Sequence, residues 1–135
     1  MLDAHRRRHL RRLVRCTRDH LHGHNPFFSY RESVLLAHAR TRRGRWCGPC
    51  QLMAPQLEKA AAHFGDRCRF LKVDSDEEPE VASILKINGL PTILFINDMS
   101  VVARAEGMLM ADELTGLAEH HFFGGEKPVI EGITV

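Results

Sequence analysis

The sequence predicts a single α/β domain in which a central mixed β-sheet is flanked by helices. Three observations support this fold class: the chain has 135 residues, apolar positions recur with helical spacing in several segments, and short apolar runs typical of strands lie between those segments. A chain of this length buries one core of ordinary size. We therefore expect a basic N-terminal arm at 1–32, the α/β domain at 33–123 and a flexible C-terminal tail at 124–135.

The first predicted element of the domain is a central strand at 33–39. Its sequence, Ser-Val-Leu-Leu-Ala-His-Ala, is mostly apolar, as is typical of a buried strand. An arginine-rich loop follows, because arginine side chains are almost never buried without a partner. The segment 49–64 is predicted to be a helix with Pro49 in its first turn, where a missing N–H is harmless. Pro55 interrupts the hydrogen-bond ladder and predicts a kink.

Three further strands, a short helix and a last helix complete the predicted domain. The partly alternating pattern at 68–74 predicts a strand, and 77–85 suits a short helix. The continuous apolar run at 92–96 is typical of a buried strand, which a short turn connects to a strand at 101–105. Apolar positions at helical spacing predict the last helix from about 111 to 123.

The net charge of +2 conceals two oppositely charged segments. Residues 1–45 contain twelve arginines, no lysine and three acidic residues, which gives a net charge of +9, whereas 46–135 have a net charge of −7. An arginine-rich, acid-poor arm is typical of organelle-targeting presequences. There are two alternatives: a solvated arm without a targeting function, or an altered reading frame. Nucleic-acid binding is not expected, because no aromatic motif accompanies the charge. A membrane span is not expected either, because no run reaches the roughly 18 consecutive apolar residues that it requires.

Two of the four cysteines form the motif Trp46-Cys47-Gly48-Pro49-Cys50. Cysteines separated by two residues can close a small disulfide, and at the start of a helix this arrangement predicts a dithiol–disulfide redox pair. A secreted domain stapled by disulfides has a denser cysteine framework, so a reducing compartment is the better interpretation. A zinc site is not expected, because no second Cys-x-x-Cys motif or Cys/His pair follows at ligand spacing.

The motif is identical to the active-site signature of the thioredoxin family, and the resemblance extends over roughly 46–123. Pro55 resembles the proline that kinks the active-site helix of that family. The loop at 89–92 resembles the family loop whose proline is cis, and Asp74 and Gly107 resemble family residues at strand ends. The resemblance implies a thioredoxin fold and a thiol–disulfide oxidoreductase that needs no cofactor other than its own redox-active disulfide.

The resemblance also implies which residues of the motif react. Cys47 lies just before the predicted helix, whose unpaired N–H groups and dipole favour a thiolate and lower the cysteine pKa from about 8.5 toward about 7. Cys47 is therefore the expected nucleophile, and Cys50, one helical turn later, is expected to resolve the mixed disulfide. Gly48 permits close approach of a substrate backbone, and Pro49 stiffens the turn.

Three residues are expected to bind substrate. The resemblance places Trp46 beside the disulfide as a contact surface. A cis peptide bond before Pro91 would leave the backbone groups of Leu90 available to pair with an extended substrate chain.

The buried aspartate of the family has no counterpart here, since Thr41 stands at its position in an alignment without gaps. Turnover is expected to fall as a result, and His38 is hypothesised to replace the missing base in part.

The leading functional prediction is a thioredoxin-like protein-disulfide reductase that contributes to cell redox homeostasis. The alternative is a protein-interaction module of the same fold whose redox activity is vestigial. The expected partners are protein disulfides and a thioredoxin reductase, NADPH-dependent in a cytosol or mitochondrion and ferredoxin-dependent in a plastid. A monomer is expected. The arm, if it is a targeting segment, predicts a plastid or a mitochondrion; otherwise the predicted location is the cytoplasm.

Overall fold

The structure, a computed structural model, describes residues 32–38, 48–98 and 100–130. The strands are β1 (Glu32–His38), β2 (Arg69–Asp74), β3 (Thr92–Asn97) and β4 (Ser100–Glu106). The helices are α1 (Gly48–Phe64), α2 (Pro79–Ile84) and α3 (Ala111–Phe123), and a short 3-10 turn (Gly65–Arg67) follows α1. The predicted order of helices and strands is therefore confirmed. The basic arm and the arginine-rich loop lie outside the described residues, except for Glu32.

The four strands form one mixed sheet in the order β2-β1-β3-β4. β1 runs parallel to β2, with Val34 opposite Phe70, and antiparallel to β3, with Val34 opposite Phe95. β3 and β4 form an antiparallel pair. The prediction of a central strand at 33–39 is confirmed with a shift of one residue. The mixed sheet and its flanking helices confirm the predicted fold class.

The two faces of the sheet are covered by two separate apolar clusters, because successive residues of a strand point to opposite faces. The larger cluster joins α1 and α3 to one face, and its buried members are Val34, Met53, Leu57, Ala60, Ala61, Phe64, Cys68, Phe70, Ile93, Phe95, Ala105, Leu109, Leu114, Leu117 and Ala118. The smaller cluster includes residues of α2 and its end, and its buried members are Leu71, Val73, Val81, Leu85, Leu94 and Ile96.

The helices α1 and α2 differ slightly from their predicted bounds. α1 begins at Gly48 rather than at residue 49, and Pro55 lies within it on the exposed side. α2 begins at Pro79 rather than at residue 77. The Asp74 carboxylate accepts the N–H of Asp76 at 2.9 Å and holds the preceding acidic residues in a turn, and Pro79 starts the helix since a first-turn residue needs no N–H donor.

The described part of the C-terminal segment, 124–130, contains no helix or strand. It nevertheless lies against the domain: Gly125 donates its N–H to the carbonyl of Glu119 at 3.0 Å, and Ile130 packs against the larger cluster. The flexibility of 124–135 and the domain boundaries stay predictions. None of the helices among the described residues combines the length and the apolar composition that crossing a bilayer requires.

Candidate functional site

The described part of the cysteine motif forms the first turn of α1. Gly48 and Pro49 are exposed, whereas the side chain of Cys50 is completely buried. Cys50 is disulfide-bonded. Cys68, the other cysteine in the described part of the chain, is buried and not disulfide-bonded, so the disulfide partner of Cys50 lies outside the described residues.

Cys47 and Trp46 lie outside the described residues, but the helix that follows them is fully described. Cys47 immediately precedes Gly48, the first residue of the 17-residue helix α1. The first turn of this helix contains no acidic residue. The partial positive charge at the helix start is therefore not offset by a neighbouring carboxylate. Within the described ranges, a Cβ atom at Gly48 would meet no other atom within 4 Å.

The loop before β3 presents the second part of the site. The Leu90-Pro91 peptide bond is cis, as predicted. Leu90 is 37% exposed, and Pro91 is buried. Within the described residues, the backbone N–H and carbonyl of Leu90 have no hydrogen-bond partner. An exposed backbone with unused donor and acceptor groups can pair with an extended chain.

Hydrogen bonds connect this loop to its neighbours at two points. The hydroxyl of the buried Thr92 donates to the carbonyl of Gly89 at 2.6 Å. The N–H of Gly107, at the end of β4, donates to the carbonyl of Pro91 at 3.0 Å. Gly107 has a φ of +107°, a backbone conformation that residues with a side chain rarely adopt. The resemblance noted for Gly107 therefore has a conformational basis.

A buried contact brings α1 and the cis-proline loop to the same end of the sheet. The thioether sulfur of Met53, one turn after Cys50, accepts the N–H of Leu109 at 3.0 Å. Leu109 follows two residues after Gly107, which holds Pro91. Two hydrogen bonds from the segment after β4 therefore connect the two parts of the site: Leu109 bonds to α1, and Gly107 bonds to the cis-proline loop. Sequence reasoning did not find Met53 as part of this link, because its partner lies 56 residues away.

Exposed apolar side chains lie next to the two parts of the site. Met108 and Met110 flank the buried Leu109, and their exposed fractions are 37% and 49%. The exposed fraction of Leu90 is also 37%. Sequence reasoning also missed both methionines. The available signal was the Met-Leu-Met run directly after Gly107, which has more apolar residues than a loop usually carries. Together these side chains offer an apolar contact surface to a binding partner.

The interior of the described domain contains few polar side chains. Among the residues whose burial is described, Thr92 is the one buried polar side chain. No carboxylate in this part of the chain is buried. His38 is the last residue of β1, and its backbone is opposite Asp74 in the parallel register. No group of three or more His, Cys, Asp and Glu side chains in the described ranges is arranged to hold a metal ion.

Comparison with protein families shows a match to the thioredoxin family over residues 43–120. Thioredoxin of Bacillus subtilis is 36% identical over 76 residues, which cover 56% of this chain and 73% of that protein. The chloroplastic thioredoxin-like protein CITRX of Oryza sativa subsp. indica is 39% identical over 77 residues, which cover 56% of this chain and 41% of that protein. The chain thus spans less than half the length of the rice relative.

A solved structure agrees with the described fold. The chain superposes on the X-ray structure of Fasciola hepatica thioredoxin with a TM-score of 0.62 and 28% sequence identity. The superposition covers 83% of this chain and 90% of the other. The similarity in sequence and the similarity in structure therefore point to the same family.

Proposed function

The chain belongs to the thioredoxin family, and on that premise we propose that it is a reductase that exchanges its own dithiol for disulfides in substrate proteins. Membership in the family indicates a redox function. One observation carries the finer proposal: Cys50 is buried and disulfide-bonded in the first turn of α1, directly after the exposed Gly48 and Pro49. We assign Cys47 as its disulfide partner and Trp46 as a contact for substrates.

In the proposed reaction, the thiolate of Cys47 attacks one sulfur of a substrate disulfide. A new bond joins Cys47 to that sulfur, and the other substrate sulfur leaves as a thiolate that takes up a proton. Cys47 immediately precedes α1, so the N–H groups and dipole of the helix stabilise its negative charge. The absence of acidic residues from the first turn of α1 favours the same charge.

The thiol of Cys50 then loses its proton and attacks the sulfur of Cys47. The mixed disulfide breaks, the second substrate thiolate leaves and is protonated, and a Cys47–Cys50 disulfide remains. Two electrons and two protons have passed from the protein to the substrate. Because Cys50 is completely buried, we propose that substrate sulfurs react first with Cys47. The burial of Cys50 supports this division of roles.

The substrate proteins are proposed to bind across the second part of the site. An extended segment beside the substrate disulfide pairs with the backbone of Leu90, whose N–H and carbonyl have no other partner among the described residues. The exposed side chains of Met108 and Met110 supply apolar contacts. No bound cofactor is needed, since the disulfide itself carries the electrons.

We propose that a thioredoxin reductase restores the dithiol of this protein, which acts as a monomer. The chloroplastic relative favours a plastid as the location. A ferredoxin-dependent reductase is then the expected electron donor. Full reduction of the Cys47–Cys50 disulfide by that enzyme, and slow reduction by an NADPH-dependent enzyme, would support this assignment, and the reverse preference would contradict it.

The reductase proposal is tested by the reduction of insulin in the presence of dithiothreitol. The wild type should accelerate the reaction, whereas Cys47→Ser and Cys50→Ser should lose the acceleration. Cys68→Ala is the matched control, since it removes a buried cysteine that is not disulfide-bonded and lies elsewhere in the fold, and it should retain activity. A wild type without acceleration would contradict the proposal and favour an interaction module of the same fold.

A further inference from the structure

The segment that carries Leu90 has no regular structure of its own. It begins at Leu85, directly after the last residue of α2, passes Lys86 in the left-handed region with a φ of 54°, and ends at Pro91. Leu85 is buried in the smaller cluster. An irregular segment keeps a defined position through the groups that hold its backbone, so its hydrogen bonds decide where Leu90 lies.

Arg104 of β4 holds the start of this segment. Its guanidinium donates from Nη1 to the carbonyl of Lys86 at 2.9 Å and from Nη2 to the carbonyl of Leu85. Carbonyls at the end of a helix lack a partner within the helix, and here a planar guanidinium with two donors satisfies those of the two residues that directly follow α2. Bonds from a charged donor are stronger than those between neutral groups.

The end of the segment is held by the same strand. Gly107 follows three residues after Arg104 and donates its N–H to the carbonyl of Pro91. β4 pairs antiparallel with β3, and Arg104 lies opposite Leu94. Both ends of the segment are therefore anchored to one strand that the sheet keeps rigid. Leu90 lies between the two anchors, next to the second one.

We propose that Arg104 is a positioning residue that holds the backbone of Leu90 in place for protein substrates, an inference that rests on the proposed function. Arg104 itself contacts neither the cysteines nor the substrate in this scheme. Its effect depends on backbone pairing with an extended chain, which a protein substrate offers and a small disulfide does not. Arg104 therefore contributes to substrate selection, and the chemistry at Cys47 is independent of it.

The kinetic test compares two substrates in the wild type and in Arg104→Ala. The KM for insulin should rise at least about fivefold, since two charge-assisted hydrogen bonds are lost, while the rate with the small disulfide dithiobis-nitrobenzoate should change by less than about twofold. Arg104→Lys keeps one charged nitrogen but not the two donors of the guanidinium, so its KM for insulin should lie between those of the wild type and Arg104→Ala. Arg67→Ala is the matched control, because Arg67 pairs with Glu119 and not with this segment.

Two results of the kinetic comparison between variants would overturn the inference. One is an unchanged KM for insulin in Arg104→Ala, and the other is an equal loss of rate with both substrates, which indicates general damage to the fold. Amide hydrogen exchange gives a readout that does not need activity: exchange should quicken at 86–91 in Arg104→Ala and not in Arg67→Ala. Unchanged exchange at 86–91 in Arg104→Ala would overturn the positioning role of Arg104 and leave the proposed function intact. A wild type that reduces neither substrate would overturn the proposed function and, with it, this inference.

Discussion

The two parts of the site are held in place by different forces. The cysteine turn belongs to α1, a long helix fixed by apolar packing, in which Met53 and Leu57 are completely buried. The Leu90 segment is held by hydrogen bonds from Arg104, Thr92 and Gly107 to backbone carbonyls, and its start is also held by backbone bonds to α2. The comparison indicates that the reactive group and the substrate-binding backbone respond to different substitutions. Changes in packing should act on stability, and changes in hydrogen bonding should act on substrate selection.

Leu57→Ala should have the largest effect on stability. Leu57 is completely buried between α1 and the sheet, and its truncation should lower the free energy of unfolding by about 2–5 kcal/mol. Leu52→Ala on the same helix is the matched control, since Leu52 is 58% exposed and should change stability little. Urea unfolding measures both. The folded fraction of Leu57→Ala should keep the wild-type ratio of insulin to small-disulfide activity, and a changed ratio would break the comparison.

Thr92→Val tests the hydrogen-bonded part with a side chain of the same shape. It removes the hydroxyl that donates to Gly89 at 2.6 Å, which should lower the free energy of unfolding by about 1 kcal/mol. The KM for insulin should rise while the small-disulfide rate stays constant. Thr115→Val on α3 is the control for the chemical change. An effect on both substrates alike would place Thr92 in the packing of the domain and not in the positioning of the loop.

The comparison also explains which features the sequence could predict. The run at 92–96 predicted β3, which extends to Asn97, because continuous burial leaves a strong local signal. The start of α2 was predicted two residues early, since acidic residues suit both a helix start and the turn that Asp74 holds. Arg104 was predicted only as part of a strand. Its partners at Leu85 and Lys86 lie 19 and 18 residues away, and no local pattern specifies such a pairing.

The candidate site divides in the same way. A motif of adjacent residues identified Cys50, Gly48 and Pro49, and the resemblance of a short loop identified Leu90 and Pro91. The residues that join these two parts were not predicted. Their contacts depend on how α1 and the end of β4 meet across the fold, and packing of this kind is not encoded in the spacing of any one segment.

Arg67→Ala should have a smaller effect than either of the changes above. The guanidinium of Arg67 lies 5.2 Å from the ring centres of Phe64 and Phe123 and pairs with Glu119 at 3.3 Å. Arg67 is about half exposed, so a loss of about 0.5–1 kcal/mol is expected. Arg67→Lys keeps the charge without the planar group and should recover part of the stability in urea unfolding. A loss as large as that of Leu57→Ala would contradict the dominance of apolar packing around α1.

The smallest effect at neutral pH should come from His121, which lies against the ring of Phe95 on the packed face. Burial lowers the pKa of His121 below 6.5, and the charges of His120 and Lys127 lower it further. Its Nε2 is buried without a hydrogen-bond partner. Below about pH 6.5 the unfolded chain therefore binds a proton more readily than the folded one, and stability falls as the pH decreases toward the lowered pKa.

Urea unfolding at about pH 7 and about pH 5.5 measures this effect. The wild type should lose stability at the lower pH, and His121→Phe should lose less, because it removes the titrating group and keeps an aromatic ring beside Phe95. Equal losses in the two proteins would contradict a neutral, buried His121.

The most direct test of the proposed reductase site is the reduction potential of the Cys47–Cys50 pair. Purified protein is equilibrated with defined ratios of reduced and oxidised dithiothreitol, and free thiols are counted by mass. A potential near about −270 mV, with two thiols lost on oxidation, is the predicted result. A potential between about −180 and −120 mV would indicate an oxidant or an isomerase, and a pair that closes at no ratio would contradict a redox site at the start of α1.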